Sequence, residues 1–170
     1  GEGEESFTDV LLRRLEYGRW PMFDHIPQVA YRARDGIIVN EGERKHKKEL
    51  DDLPSPYLMG LYDELMRRND VKFQAVLETN RNCPFKCSFC FYGRYDHRVK
   101  QYALGKVFDE IEWIGRHGVE YLLGSDANFG MNPRDQAIAE HLVATKKRYG
   151  YPDKFRVNYG KNSDEKIYKI

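Results

Sequence analysis

Cys83, Cys87 and Cys90 form a Cys-x3-Cys-x2-Cys array within residues 78–93, ETNRNCPFKCSFCFYG, and they are all the cysteine in the chain. Closely spaced thiolates suit a soft metal centre, and an iron-sulfur cluster of the four-iron kind ordinarily takes four of them. Three ligands leave one iron open to something other than protein. A zinc site made of the three thiolates and His97 is the competing reading, since three sulfurs and an imidazole make a good tetrahedral set. Inert core thiols are a third, opposed by the polar or rigid Pro84, Lys86 and Ser88 between the cysteines. An odd number of cysteines in eight positions argues against a disulfide framework and for a reducing, cytoplasmic compartment.

Alternating elements have to carry this loop. Phe73, Ala75, Val76 and Leu77 read as a strand entering it. Leu104 to His117 places Val107, Phe108, Ile111 and Ile114 at helical spacing and stops at Gly118. Val119 to Leu123 reads as a second strand, apolar enough to be covered on both faces. Asn132 as cap, Pro133 at the first helical position and Asp135 in the first turn start a helix that runs to Tyr149. Phe155 to Tyr159 is a third strand, and Ser163-Asp164-Glu165 opens a further helix. Strand, helix, strand, helix, strand predicts an α/β fold of parallel strands joined by right-handed crossovers. Functional loops in such folds lie at the C-terminal strand ends, where the cysteines fall.

The first 70 residues are of a different character. Phe7 to Tyr17 reads as a short helix capped by Ser6 or Thr8, and residues 28–32 and 36–40 as a hairpin turning at Asp35-Gly36. EGERKHKKEL, residues 41–50, reads as a solvated loop. DDLPSPY, residues 51–57, is a rigid connector from which Pro56 starts a helix to about Arg68, with Leu58, Leu61, Leu65 and Met66 as its stripe. A formal charge of +1 on 170 residues gives no field for nucleic acid or an anionic membrane. No apolar run approaches the roughly 20 residues needed to span a bilayer, and GEGEES is no signal peptide.

With aromatic Phe89 just before its last cysteine, and its place after a first strand, the array resembles the signature of the radical S-adenosylmethionine (radical SAM) enzymes. GEGEESF, IPQVAYR with GIIVN, LDDLPSPY, ETNRNCPFKCSFC and GSDANFG are together similar to the branch in which a cobalamin-binding domain precedes the radical domain. The resemblance implies the first part of a partial (β/α)6 TIM-like barrel over 71–170, preceded by a small α+β connector over 1–70. That connector would follow a cobalamin-binding domain outside this chain, since the Asp-x-His-x-x-Gly cobalamin motif is absent from it.

The same resemblance implies that Cys83, Cys87 and Cys90 hold a 4Fe-4S cluster whose fourth iron chelates S-adenosylmethionine. Reductive cleavage would yield a 5'-deoxyadenosyl radical, and in this branch the reaction would be a cobalamin-dependent methyl transfer. Phe89 would lie near the adenine. Gly124-Ser125-Asp126 occupies the place of a Gly-Gly-Glu element that binds the methionine amino group, with Asn128 as a helper and Asn158 and Lys161 toward the ribose or carboxylate. Tyr92, Arg94 and Tyr95 follow the loop as candidate lining. No catalytic residue is assigned beyond the cluster ligands. The implied partners are an electron donor, a small-molecule or peptide substrate, and the absent domains or an oligomer partner. The alternative is a non-enzymatic iron-sulfur or zinc module for electron transfer or interaction, which the missing fourth cysteine and the β/α context oppose. A half-barrel standing by itself would also leave a strand edge open.

Overall fold

Glu4 and Glu5 place negative charge at the N-terminus of the first helix, α1 (Glu4–Tyr17), and Gly18 ends it in the left-handed region at φ 64. The computed structural model describes residues 3–18, 23–44, 49–68, 70–92 and 98–160. By its contacts the chain divides into two compact units, Gly1–Lys48 and Glu49–Ile170. In the first unit neither expected cap serves α1, because the helix starts earlier, from Gly3, without a side-chain cap. Ser6 instead donates to the carbonyl of Pro27 at 2.7 Å, and Thr8 to that of Glu4 at 2.8 Å. The hairpin is present as β1 (Ala30–Arg32) against β2 (Ile38–Asn40), antiparallel. Its turn matches the Asp35-Gly36 reading: the Asp35 carboxylate accepts from Ile37 N at 3.0 Å, and Gly36 sits at φ 86.

In the second unit the helix expected from Pro56 to Arg68 does not form. Successive turns run through 56–64 and only Leu65–Arg67 makes one 3-10 turn. Gly60, at φ 72, supplies the reason, since a left-handed residue there breaks the helical run. The segment crosses the sheet margin instead. Tyr57 donates its hydroxyl to the carbonyl of Val76 at 2.8 Å and accepts from Val76 N at 3.0 Å.

The sheet is the predicted parallel one. β3 (Gln74–Leu77), β6 (Tyr121–Gly124) and β7 (Lys154–Arg156) lie in the order β3-β6-β7, with Leu77 opposite Gly124 and Leu122 opposite Phe155. Between them come β4 (Asn80–Arg81), β5 (Lys100–Gln101), the crossover helix α2 (Leu104–Arg116) and the crossover helix α3 (Arg134–Tyr149). Leu77, Ile111, Ile114, Leu122 and Ile138 form the buried centre, where sheet and helices bury their apolar faces. β6 alternates rather than being covered on both faces: Leu122 and Gly124 are buried, Tyr121 and Leu123 only half so.

Two acids organise the helix starts. Asp51 of the connector accepts Ala103 N on both oxygens, at 2.9 and 3.1 Å, and so holds the N-terminus of α2. Asn132 is not the side-chain cap of α3; Asp135 turns back and accepts from Gly130 N and Asn132 N at 2.8 and 2.9 Å. The helix expected at Ser163 lies outside the described residues, as does Lys161. Among the described residues no helix is long and apolar enough to cross a membrane.

Candidate cofactor site

The polar run Glu78-Thr79-Asn80-Arg81 follows directly on the apolar β3, so the chain leaves the sheet there. Asn80 and Arg81, as β4, pair antiparallel with Gln101 and Lys100 of β5, and Tyr102 N donates to Thr79 O at 3.1 Å. The ribbon closes the base of residues 82–99, and the cysteines therefore lie on a loop with a bonded stem. Glu78 reinforces it, accepting from Arg81 Nε at 2.9 and 3.0 Å and from the Tyr102 hydroxyl at 3.0 Å.

Within the loop, Asn82 adopts φ 73 and donates its side-chain amide to Arg98 O at 3.1 Å, and Cys90 N donates to Cys87 O at 3.1 Å. Cys83 is buried, 5% exposed, while Cys87 and Cys90 are half-buried. Phe89 is 87% exposed. Tyr92 lies within electrostatic reach of the site: burial, then the charges of Glu78 and Asp126, raise its pKa above the ordinary tyrosine value. Arg94, Tyr95 and His97 lie outside the described residues.

The segment after β6 forms the second wall. Gly124 is packed closely, because a Cβ there would come 2.7 Å from Val157 Cγ1 and 3.2 Å from Phe155 Cε2. Ser125 donates to Leu77 O from its backbone N at 2.9 Å and from its hydroxyl at 3.3 Å. Asp126 is 1% exposed. Its Oδ1 accepts from Thr79 N at 2.8 Å and Asn80 N at 3.1 Å; its Oδ2 accepts from the Thr79 hydroxyl, a close contact, and from Asn80 Nδ2 at 3.0 Å. Burial raises its pKa above the usual carboxylate value, against the opposing pull of the Thr79 and Asn80 bonds. Asn128, also buried, donates Nδ2 to Cys83 Sγ at 3.0 Å. Asn158 is exposed and enters through its backbone, its carbonyl accepting from Phe129 N at 2.7 Å.

Cys83, Asp126 and Asn128 thus converge at the C-terminal ends of β3 and β6. Thr79, Asn80 and the Glu78–Arg81–Tyr102 set were not singled out from the sequence, although an unbroken polar run between an apolar strand and the first cysteine marks them. In chemistry the donor set fits a thiolate-bound cluster: three cysteines on one loop, none in a disulfide, one receiving an amide N–H on its sulfur. In position the sulfurs are not drawn together. Among the described residues no group of three or more His, Cys, Asp or Glu side chains is gathered to hold a metal ion. A separate apolar groove of about 330 Å3 runs along β3, lined by Tyr57, Tyr62, Met66, Val76 and Trp113 among others, and contains no residue of the cysteine loop.

No family model matches the chain. It is 38% identical to the cobalamin-dependent radical SAM methyltransferase TokK of Streptomyces tokunonensis, over 100% of this chain and 25% of that protein. It is 35% identical to a 2-(S-pantetheinyl)-carbapenam-3-carboxylate methyltransferase of Streptantibioticus cattleyicolor, with the same coverage. The chain therefore spans about a quarter of the length of these curated relatives. Among solved structures, the radical S-adenosylmethionine methyltransferase TsrM from Kitasatospora setae aligns at TM-score 0.58 and 18% identity, over 98% of this chain and 33% of that one. The cobalamin-dependent S-adenosylmethionine radical enzyme OxsB aligns at TM-score 0.57 and 18% identity, over 99% and 24%. These two likenesses concern the fold, and they match the parallel β/α arrangement around the cysteine loop. Over its whole length the chain is thus homologous to a quarter of two methyltransferases, one of them named as a cobalamin-dependent radical SAM enzyme, and its fold matches that of further radical S-adenosylmethionine enzymes.

Proposed function

We propose that this chain contributes the cluster-bearing part of a radical SAM methyltransferase. Cys83, Cys87 and Cys90 would hold a 4Fe-4S cluster, and the protein would use cobalamin carried by a part outside this chain. The observation that carries the reading is the cysteine loop itself: three thiols, without a fourth in this sequence, follow the first parallel strand, and one of them, Cys83, is met by Asn128 from the end of the second. When bound and reduced by an external one-electron donor, the cluster would supply the electron that splits the sulfonium of S-adenosylmethionine into methionine and a 5'-deoxyadenosyl radical.

The chain's own residues do the orienting. The β4–β5 ribbon holds the loop's two ends together, and Asn128 supports the sulfur of the most buried cysteine. Phe89, at the exposed rim, offers a ring for the adenine to stack on. Cys83 is itself buried, so the loop's first sulfur is shielded from solvent, while Cys87 and Cys90 are half-buried.

The test is anaerobic reconstitution of the full-length protein with iron and sulfide, followed by S-adenosylmethionine, hydroxocobalamin and dithionite. Formation of 5'-deoxyadenosine or S-adenosylhomocysteine is expected. A brown, reconstituted protein that makes neither would defeat the proposal, as would a colourless protein holding one tight zinc.

A further inference from the structure

We infer that Asp126 is a positioning residue that fixes the stem of the cysteine loop, and not a ligand of the cofactor's amino group. The inference deepens the proposed function and rests on it only for what the clamp serves. A carboxylate offers about four lone-pair sites. In Asp126 the chain's own donors fill them: Thr79 N and Asn80 N on Oδ1, the Thr79 hydroxyl and Asn80 Nδ2 on Oδ2. At 1% exposure no face of the group remains for an ammonium to approach.

The four bonds are also placed where they govern the loop. Thr79 and Asn80 lie between the last residue of β3 and Cys83, and Asn80 is itself half of the β4–β5 ribbon. Ser125 adds two bonds from the same turn to Leu77 O. The turn after β6 therefore grips the chain on both sides of the point where it leaves the sheet. This arrangement also accounts for aspartate where the resemblance leads one to expect glutamate. The cradle formed by two backbone amides, a hydroxyl and a side-chain amide is closed around the shorter side chain, and one more methylene would push the carboxylate through it.

Asp126→Glu separates the two roles, because it restores the acid of the Gly-Gly-Glu element. In the full-length protein without added iron, amide hydrogen exchange at Thr79 and Asn80 is expected to speed up at least tenfold in both Asp126→Glu and Asp126→Asn, while protection at Ile111 and Leu122 is kept. After anaerobic reconstitution, iron per chain is expected to fall at least twofold in both variants. Unchanged exchange at Thr79 and Asn80 would overturn the inference, and so would an Asp126→Glu protein with full iron and equal or tighter S-adenosylmethionine binding. Should Asp126→Asn lose protection at Leu122 as well, Thr79→Val carries the test: it removes one donor and leaves the carboxylate, faster exchange at Asn80 supports the clamp, and unchanged exchange refutes it. If even the parent protein takes up no iron, the proposed function fails, and exchange in the iron-free protein still decides the role of Asp126.

Discussion

Gly124→Ala tests whether the glycine after the second strand serves packing. An added Cβ would lie 2.7 Å from Val157 Cγ1, 3.2 Å from Phe155 Cε2 and 3.3 Å from Phe155 Cζ. Two effects oppose each other. Removing a glycine from a strand end lowers the entropy lost on folding by roughly 0.5–1 kcal/mol. Overfilling a packed site costs about 1–3 kcal/mol. Val157 is β-branched and stiff about χ1, and Phe155 is edge-on to Phe129 with ring centroids 5.5 Å apart, so neither yields easily. The steric effect wins, and the variant is expected to lose about 1–2 kcal/mol, roughly 3–8 °C in Tm for a unit of this size. Urea denaturation of the metal-free protein, followed by circular dichroism, measures it. Val157→Ala removes the obstructing methyl group, so the double variant should recover at least about 0.5 kcal/mol relative to the sum of the single ones. Strict additivity, or a Gly124→Ala protein as stable as the parent, would refute the packing argument and return Gly124 to a cofactor role.

Three further outcomes follow from other contacts. Tyr57→Phe keeps the ring beside Trp113, at a 5.0 Å centroid separation, but removes both hydroxyl bonds to Val76; a loss of about 1–2 kcal/mol in urea denaturation is expected, and an unchanged midpoint would sink the edge-capping role. Burial raises the pKa of Asp135 above the usual carboxylate value, so its stabilising contribution is present below that ordinary range and declines as pH rises through the raised value. Asp135→Asn keeps an acceptor for Gly130 N and Asn132 N without the charge, and should gain on the parent between pH 4 and pH 8; a pH-independent difference in urea midpoints would show the sign to be wrong. Asn128→Ala withdraws the N–H from Cys83 Sγ, and the reconstituted cluster should then titrate at a more negative potential, read by electron paramagnetic resonance, because hydrogen bonds to sulfur favour the reduced, more negative state. An identical potential would disconnect Asn128 from the cluster.

The β/α skeleton was legible because its signals are local. Val107, Phe108, Ile111 and Ile114 repeat at the helical period and are capped by chain reversal at Gly118, and α2 appears at Leu104–Arg116 as the spacing requires. The 56–68 segment misled for the complementary reason. Leu58, Leu61 and Leu65 have helical spacing, yet nothing in that spacing registers that Gly60 takes a left-handed conformation. At the site, the cysteines could be read as belonging to one loop because all three lie within eight positions, whereas nothing in their spacing says how far apart the folded loop holds their sulfurs. The partners of Asp126 were not legible, since Thr79 and Asn80 lie 47 and 46 residues away and meet it only once β3 and β6 pair in register. Spacing marks which thiols belong together, whereas the stem that presents them depends on which strands are neighbours.

Tyr57 gives the sheet a direction. β3 is an outer strand, and at Val76 both outward backbone groups already bind the phenol oxygen. A peptide approaching from that flank meets a plugged rung and would have to evict a ring packed on Trp113 before it could zip on. Accretion of strands is therefore polarised toward the β7 flank. A single hydroxyl acts as a stopper, separating orderly enlargement of the sheet from promiscuous pairing at its other margin.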